Sequence, residues 1–144
     1  MIGEDDAVKR LMQPCPAFAD VLREFLSYAD GNPNEHYNTL GELARWVVSQ
    51  LRAGELDCLG DLFQELEWLM ANAESEARLL IVIGFIEEIQ NCCVSYPTPA
   101  DRIHPDLFLP YLGPRTRAAW FDIVNGPLWR ERSWPGRVQD ERRP

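Results

Sequence analysis

Residues 57–72 read DCLGDLFQELEWLMAN, and residues 75–92 read SEARLLIVIGFIEEIQNC. In the first stretch apolar side chains return every three or four residues, which is the period of an amphipathic helix. The second stretch is apolar from 79 to 86 except at Gly84. That run alone is also compatible with a β-strand, but the helical period of its flanks favours a helix packed on several sides. The two stretches therefore predict neighbouring helices in an all-α protein.

The sequence on either side of these stretches predicts further helices separated by turn-forming residues. Thr39 and Glu42 have the spacing of a capping box, which marks a helix start. Pro114 and Gly126 follow the preference of helices for a proline start and a glycine stop. The predicted helices are 16–29, 39–53, 57–72, 75–92 and 114–125, with a weaker one between 5 and 12 and a short helical turn over 106–112. We expect a single-domain helical bundle or a short HEAT-like helical stack of about five to seven helices.

Charge divides the chain into two parts. Residues 1–96 carry a net charge of −11, whereas residues 97–144 carry +2 and most of the prolines. We therefore expect one helical domain over 1–126 and a Pro/Arg/Trp-rich C-terminal extension over 127–144. The extension is expected to be partly docked through its two tryptophans or flexible.

The overall composition restricts the classes of partner. The 144 residues include 14 Lys and Arg against 23 Asp and Glu, a formal net charge of −9. Nucleic-acid binding needs a basic surface, so this balance excludes nucleic acid and favours a basic protein partner. The N-terminus lacks the pattern of an export signal, and the apolar run over 79–86 is far shorter than the about 20 residues of a membrane span. We expect a cytoplasmic protein without membrane contact.

The residues that could carry chemistry form no recognisable catalytic motif. Without an export signal the cysteines, which are Cys15, Cys58, Cys92 and Cys93, are expected to be reduced thiols buried as small hydrophobic side chains. A zinc site would need His36 or His104 brought in from distant connections, where a cap or turn contact is the simpler role. The sequence therefore predicts no enzyme activity, no metal and no cofactor.

One large aromatic side chain departs from the amphipathic pattern. At 100° per residue, Trp68 lies on the polar face of the helix over 57–72, opposite the apolar stripe. An exposed tryptophan surrounded by carboxylates is typical of an anchor for a basic partner. The candidate partner-binding residues are Asp57, Asp61, Gln64, Glu65, Trp68 and Asn72. Alternatively, the C-terminal extension covers Trp68, or a homodimer buries it.

Three segments between Asp57 and Trp129 carry a resemblance to a known family. They are Asp61-Leu62-Phe63, Gly84-Phe85-Ile86-Glu87, and Leu109-Pro110-Tyr111-Leu112-Gly113-Pro114-Arg115-Thr116 followed by Trp120. This pattern resembles a bacterial family of small acidic helical proteins, members of which look like immunity proteins of polymorphic toxin systems.

The resemblance implies a cytoplasmic immunity protein that neutralises a cognate toxin by masking its active or substrate-binding site. A basic, nuclease-like toxin would suit the negative charge of the chain. The alternative is a helical adaptor or scaffold that binds another bacterial partner. For the Gly113-Pro114 step we expect a structural role, which is to turn the chain and start the last helix.

Overall fold

The computed structural model describes residues 1–29, 35–95 and 102–124. Within these ranges it contains seven α-helices and no β-strand, so the all-α fold class is confirmed. The helices are α1 (Glu4–Met12), α2 (Phe18–Ala29), α3 (Glu35–Ala53), α4 (Leu59–Asn72), α5 (Ser75–Ile81), α6 (Glu87–Ser95) and α7 (Pro114–Val124). A π-helical segment (Val82–Ile86) joins α5 to α6, and a 3-10 helix (Pro105–Tyr111) precedes α7. The predicted C-terminal extension, 127–144, lies outside the described residues.

The helix predicted over 75–92 is continuous through the π-helical segment and packs most extensively against α3. Gly84, in the middle of the segment, is buried. A Cβ atom at Gly84 would lie 3.0 Å from Leu40 Cδ1, so glycine permits the close approach of the two helices. The expectation that this helix is packed on several sides is only partly right, because Leu79 and Ile83 are 56% and 43% exposed.

The apolar stripe of α4 forms the centre of the core. Phe63 on this stripe is 1% exposed, and its ring lies against three other rings. The ring centroids are 6.3 Å away at Phe85, 5.9 Å at Phe108 and 5.8 Å at Tyr111. One side chain of α4 thus joins the π-helical segment to the 3-10 helix, and the inner face of α4 is fixed in the core.

Helix α1 lies antiparallel to α4 and is attached near both of its ends. At its start, the Ile2 N–H donates to the Asn72 carbonyl at 3.1 Å, and the Glu74 N–H donates to the Ile2 carbonyl at 2.8 Å. Beyond its last residue, Cys15 and Cys58 form a disulfide with a Cα–Cα distance of 5.4 Å. The expectation of reduced thiols is therefore wrong for these two cysteines. Folding brings the α1–α2 turn against the α3–α4 connection, a contact that no local pattern in the sequence encodes.

The capping box predicted at Thr39 is also wrong. Helix α3 begins at Glu35, so Thr39 is inside the helix, where it is 5% exposed. The additional turn brings Tyr37 Cδ1 to 3.4 Å from the Cβ position of Gly84. It also places His36 in the helix rather than in a connection, with its Nε2 atom 2.6 Å from Asp5 Oδ1. Tertiary contacts of the first turn thus outweigh the local capping signal.

The Gly113-Pro114 step has the structural role expected of it, because it turns the chain into α7. The carboxylate of Glu67, on α4, accepts hydrogen bonds from the Arg115 N–H at 3.1 Å and from the Thr116 N–H at 2.9 Å. Pro114, the first residue of α7, has no N–H to satisfy. Glu67 therefore caps α7 from a different helix, and its negative charge complements the helix dipole.

We predict that Glu67 and Gly113 act as one unit in stability. A Cβ atom at Gly113 would lie 2.6 Å from Glu67 Cγ, so Gly113→Ala is expected to displace the carboxylate from α7. Loss of a helix cap costs about 1–2 kcal/mol, and we expect that loss for Gly113→Ala and for Glu67→Ala alike. Urea unfolding of both variants and of the double variant measures the coupling. The double variant should lose little more than either single one; fully additive losses would contradict the shared cap.

Candidate partner-binding surface

The six candidate residues follow the outward side of α4 and the connection before it, and we call them the α4 surface. Asp61, Gln64 and Trp68 are exposed, whereas Glu65 and Asn72 are half-buried. Asp61, Glu65, Trp68 and Asn72 follow one another at three or four residues, and Gln64 lies four residues before Trp68, so these five side chains share one face of the helix. Asp57 is exposed but precedes the first residue of α4. The helical period that placed Asp57 beside Trp68 therefore does not apply to it.

The indole of Trp68 is 39% exposed, and one of its faces is covered by a cation of the same chain. The guanidinium carbon of Arg10, on α1, lies 3.9 Å from the centroid of the ring. The same guanidinium group pairs with Glu65, with 2.6 Å between Arg10 Nε and Glu65 Oε1. The Arg10 guanidinium is thus stacked on the Trp68 ring and paired with the Glu65 carboxylate at the same time. The role of this surface in partner binding stays a prediction.

The α4 surface has an uncompensated negative charge. Residues 57–72 contain four carboxylates and no Lys or Arg. Glu67 caps α7, and Glu65 pairs with Arg10. Asp57 and Asp61 are exposed, and neither forms an ion pair with a residue that the structure describes.

Asn72 serves the fold of the chain at the end of α4. Its Nδ2 atom donates to the Trp68 carbonyl at 2.8 Å, and its own carbonyl accepts the Ile2 N–H. The Asn72 side chain thus adds a hydrogen bond to a carbonyl near the end of α4. Among the six candidates, Asn72 has the clearest structural role.

Sequence reasoning missed Arg10. Its helix was predicted only weakly, and the separation of 55 positions between Arg10 and Glu65 hides the contact from any local pattern. The signal that could have found it is the register of α1 against α4. Pairing Ile2 with Ala73 and Cys15 with Cys58 brings Arg10 level with Glu65 in an antiparallel arrangement.

Outside the α4 surface, burial raises the pKa of two free thiols and of one carboxyl group, and one histidine caps a helix. Burial raises the pKa of the Cys92 thiol to about 12, with the nearby Glu88 carboxylate adding to the effect, and burial raises that of Cys93 to about 12. Both thiols are therefore neutral at physiological pH. His104 Nδ1 accepts the Asp106 N–H at 3.1 Å, which confirms the expected capping role. Burial raises the pKa of the Asp106 carboxyl, against the lowering effect of His104.

The described parts of the chain contain neither a metal-binding group of side chains nor a membrane-spanning helix. Among residues 1–29, 35–95 and 102–124, His, Cys, Asp and Glu side chains form no group of three or more that could hold a metal ion. No helix in these parts combines the length and the apolar character that a membrane crossing requires.

The α4 surface presents an aromatic face beside carboxylates, and this arrangement is suited to binding a cation.

Comparison with curated proteins and with solved structures finds no significant match to the chain. A family described as a domain of unknown function, DUF7674, matches residues 8–126. That match includes α2 to α7, most of α1 and every residue of the α4 surface. Because it extends over most of the sequence, the chain belongs to the DUF7674 family.

Proposed function

We propose that this protein is a non-enzymatic protein-binding module, namely a cytoplasmic immunity protein that neutralises a cognate bacterial toxin. The observation that carries the proposal is the exposed indole of Trp68 on a helix face with carboxylates and without a basic residue of its own helix. The resemblance of residues 57–129 to immunity-like proteins supports the same class. Neutralisation needs a rigid scaffold and a complementary surface rather than a reaction.

The charge of the α4 surface suits a toxin that acts on an anionic substrate. A nuclease presents basic side chains to its substrate, and carboxylates such as those of Asp57 and Asp61 can occupy the same positions as phosphates. Long-range attraction between the two surfaces speeds association. A central tryptophan that loses its contact with water adds affinity, since Trp is enriched at the strongest positions of interfaces. The protein would thus act by masking the substrate-binding site.

We predict that Trp68→Ala and Asp61→Lys each weaken binding to the toxin encoded beside this gene by about tenfold or more. The measurement is co-expression and pull-down, followed by titration calorimetry of the purified pair. Tyr37→Ala is the control for Trp68→Ala, because Tyr37 is also a half-exposed aromatic residue but lies on α3. Asp20→Lys on α2 is the control for the charge reversal. Equal binding by all four variants would show that the α4 surface is not the toxin-binding site.

A helical adaptor or scaffold is the second candidate function. Leu79 and Ile83 are one helical turn apart and exposed, and neighbouring exposed apolar side chains are typical of protein contacts.

Gene order separates the two candidates, because an adjacent gene for a large secreted toxin favours the immunity protein. Sedimentation of the purified chain tests the homodimer, which would bury Trp68 and should dissociate on Trp68→Ala.

A further inference from the structure

Trp68 and Glu65 together have the features of a binding site for a guanidinium group. The two residues are three positions apart on α4, so their side chains emerge side by side. Arg10 shows how a guanidinium fits between them, with its carbon 3.9 Å from the ring centroid and its Nε atom 2.6 Å from Glu65 Oε1. Stacking of the flat cation on the ring and a charge-assisted hydrogen bond to the carboxylate act on the same group.

The guanidinium of Arg10 can leave this position without unfolding α1. The Arg10 side chain is 38% exposed and that of Glu65 is 23% exposed. The partly buried pair remains in contact with water, so the guanidinium can exchange its bond to Glu65 for bonds to water. Helix α1 has other anchors, which are the buried side chains of Ala7, Val8 and Leu11, the Ile2 bridge and the Cys15–Cys58 disulfide. Another cation can therefore replace the Arg10 side chain at this position while the backbone of α1 stays in place.

We propose that Trp68 and Glu65 bind an arginine side chain of the partner, and that Arg10 is its intramolecular competitor. This inference rests on the proposed function and names the group that the α4 surface recognises. Arginine suits the site better than lysine, because a planar guanidinium stacks on the indole while donating sideways to a carboxylate. The exposed carboxylate of Asp61, one turn before Glu65, adds negative charge next to the incoming cation.

The competitor has a measurable consequence. A site that is open only part of the time binds its ligand more weakly, in proportion to the open fraction. Removing the Arg10 guanidinium should therefore strengthen binding of an external arginine by about three- to tenfold. The charge of the protein also changes by one unit, so the comparison needs a variant that loses the same charge elsewhere. Arg23 is suitable, since it is an exposed arginine on α2 paired with Asp20.

The test uses a capped peptide of alternating glycine and arginine, with the same peptide carrying lysine as its control. Titration of ¹⁵N-labelled protein follows the indole N–H signal of Trp68, assigned by its loss in Trp68→Leu. We expect Arg10→Gln to bind the arginine peptide about three- to tenfold more tightly than Arg23→Gln does. We also expect Glu65→Gln to bind it more weakly than Arg10→Gln does, and the lysine peptide to bind severalfold more weakly than the arginine peptide. Equal affinities of Arg10→Gln and Arg23→Gln, or of the two peptides, would overturn the proposal.

The peptide experiment and the toxin experiment can fail separately. If Arg10→Gln binds the arginine peptide more tightly but no neighbouring toxin is captured, the guanidinium site stands and the immunity function is wrong. If the toxin is captured but Arg10→Gln and Arg23→Gln bind the peptide equally, the function stands and the assigned site is wrong. Urea unfolding of each variant checks that altered binding does not come from loss of the fold.

Discussion

Reduction of the Cys15–Cys58 disulfide is expected to lower the free energy of unfolding by about 4 kcal/mol. The two cysteines are 43 residues apart in the sequence, and a cross-link over a loop of that length restricts the unfolded chain strongly. Urea unfolding with and without a phosphine reductant measures the difference. The variant Cys15→Ala/Cys58→Ala should unfold at low urea concentration under both conditions.

Cys92→Ala provides the control for this experiment. Cys92 is a free thiol, so the variant should keep the full response to the reductant. Alkylation of unfolded, unreduced protein followed by mass spectrometry counts the thiols. We expect label at Cys92 and Cys93 only. Label on all four cysteines, or a urea midpoint that does not change with the reductant, would contradict the cross-link.

The same thiol count, made on protein trapped with alkylating agent inside cells, tests the proposed location. Disulfides persist in oxidising compartments and are rare in the cytoplasm. Full alkylation of Cys15 and Cys58 would support the cytoplasmic immunity protein. Protection of both would place the working protein in an oxidising compartment, against that part of the proposal.

Gly84→Val is expected to destabilise the protein by about 3 kcal/mol. The Cβ position of Gly84 is 3.0 Å from Leu40 Cδ1 and 3.3 Å from Leu40 Cβ, and Leu40 is fully buried. The two methyl groups of valine would push α3 away from the π-helical segment, and overpacking of this kind costs about 1–3 kcal/mol or more. Thermal and urea unfolding provide the measurement.

Gly60→Ala is the matched control, because Gly60 also lies in a helix but has no atom within 4 Å of its Cβ position. Alanine favours helix over glycine, so this variant should be at least as stable as the wild type. Leu40→Ala should recover part of the loss in the Gly84→Val background, since it removes the opposing side chain. A Gly84→Val variant as stable as the wild type would show that α3 does not pack this closely.

The candidate surface was predictable only in part. Trp68 stands out on the polar face of its helix because the helical period assigns each residue a direction. That period says nothing about which cation covers the ring, so Arg10 was missed. It also placed Asp57 on the same face as Trp68, which is wrong because Asp57 lies before the helix begins.

The sequence by itself determined the all-α class and two helical stretches, predicted over 57–72 and 75–92 and found over 59–72 and 75–95, since apolar periodicity is a local property of consecutive residues. Only the tertiary structure decided the register of α1 against α4, the Cys15–Cys58 pair and the capping of α7 by Glu67. Each of these joins residues more than 40 positions apart. Such contacts depend on how complete helices pack against one another, and that packing is a property of the whole core rather than of any short segment.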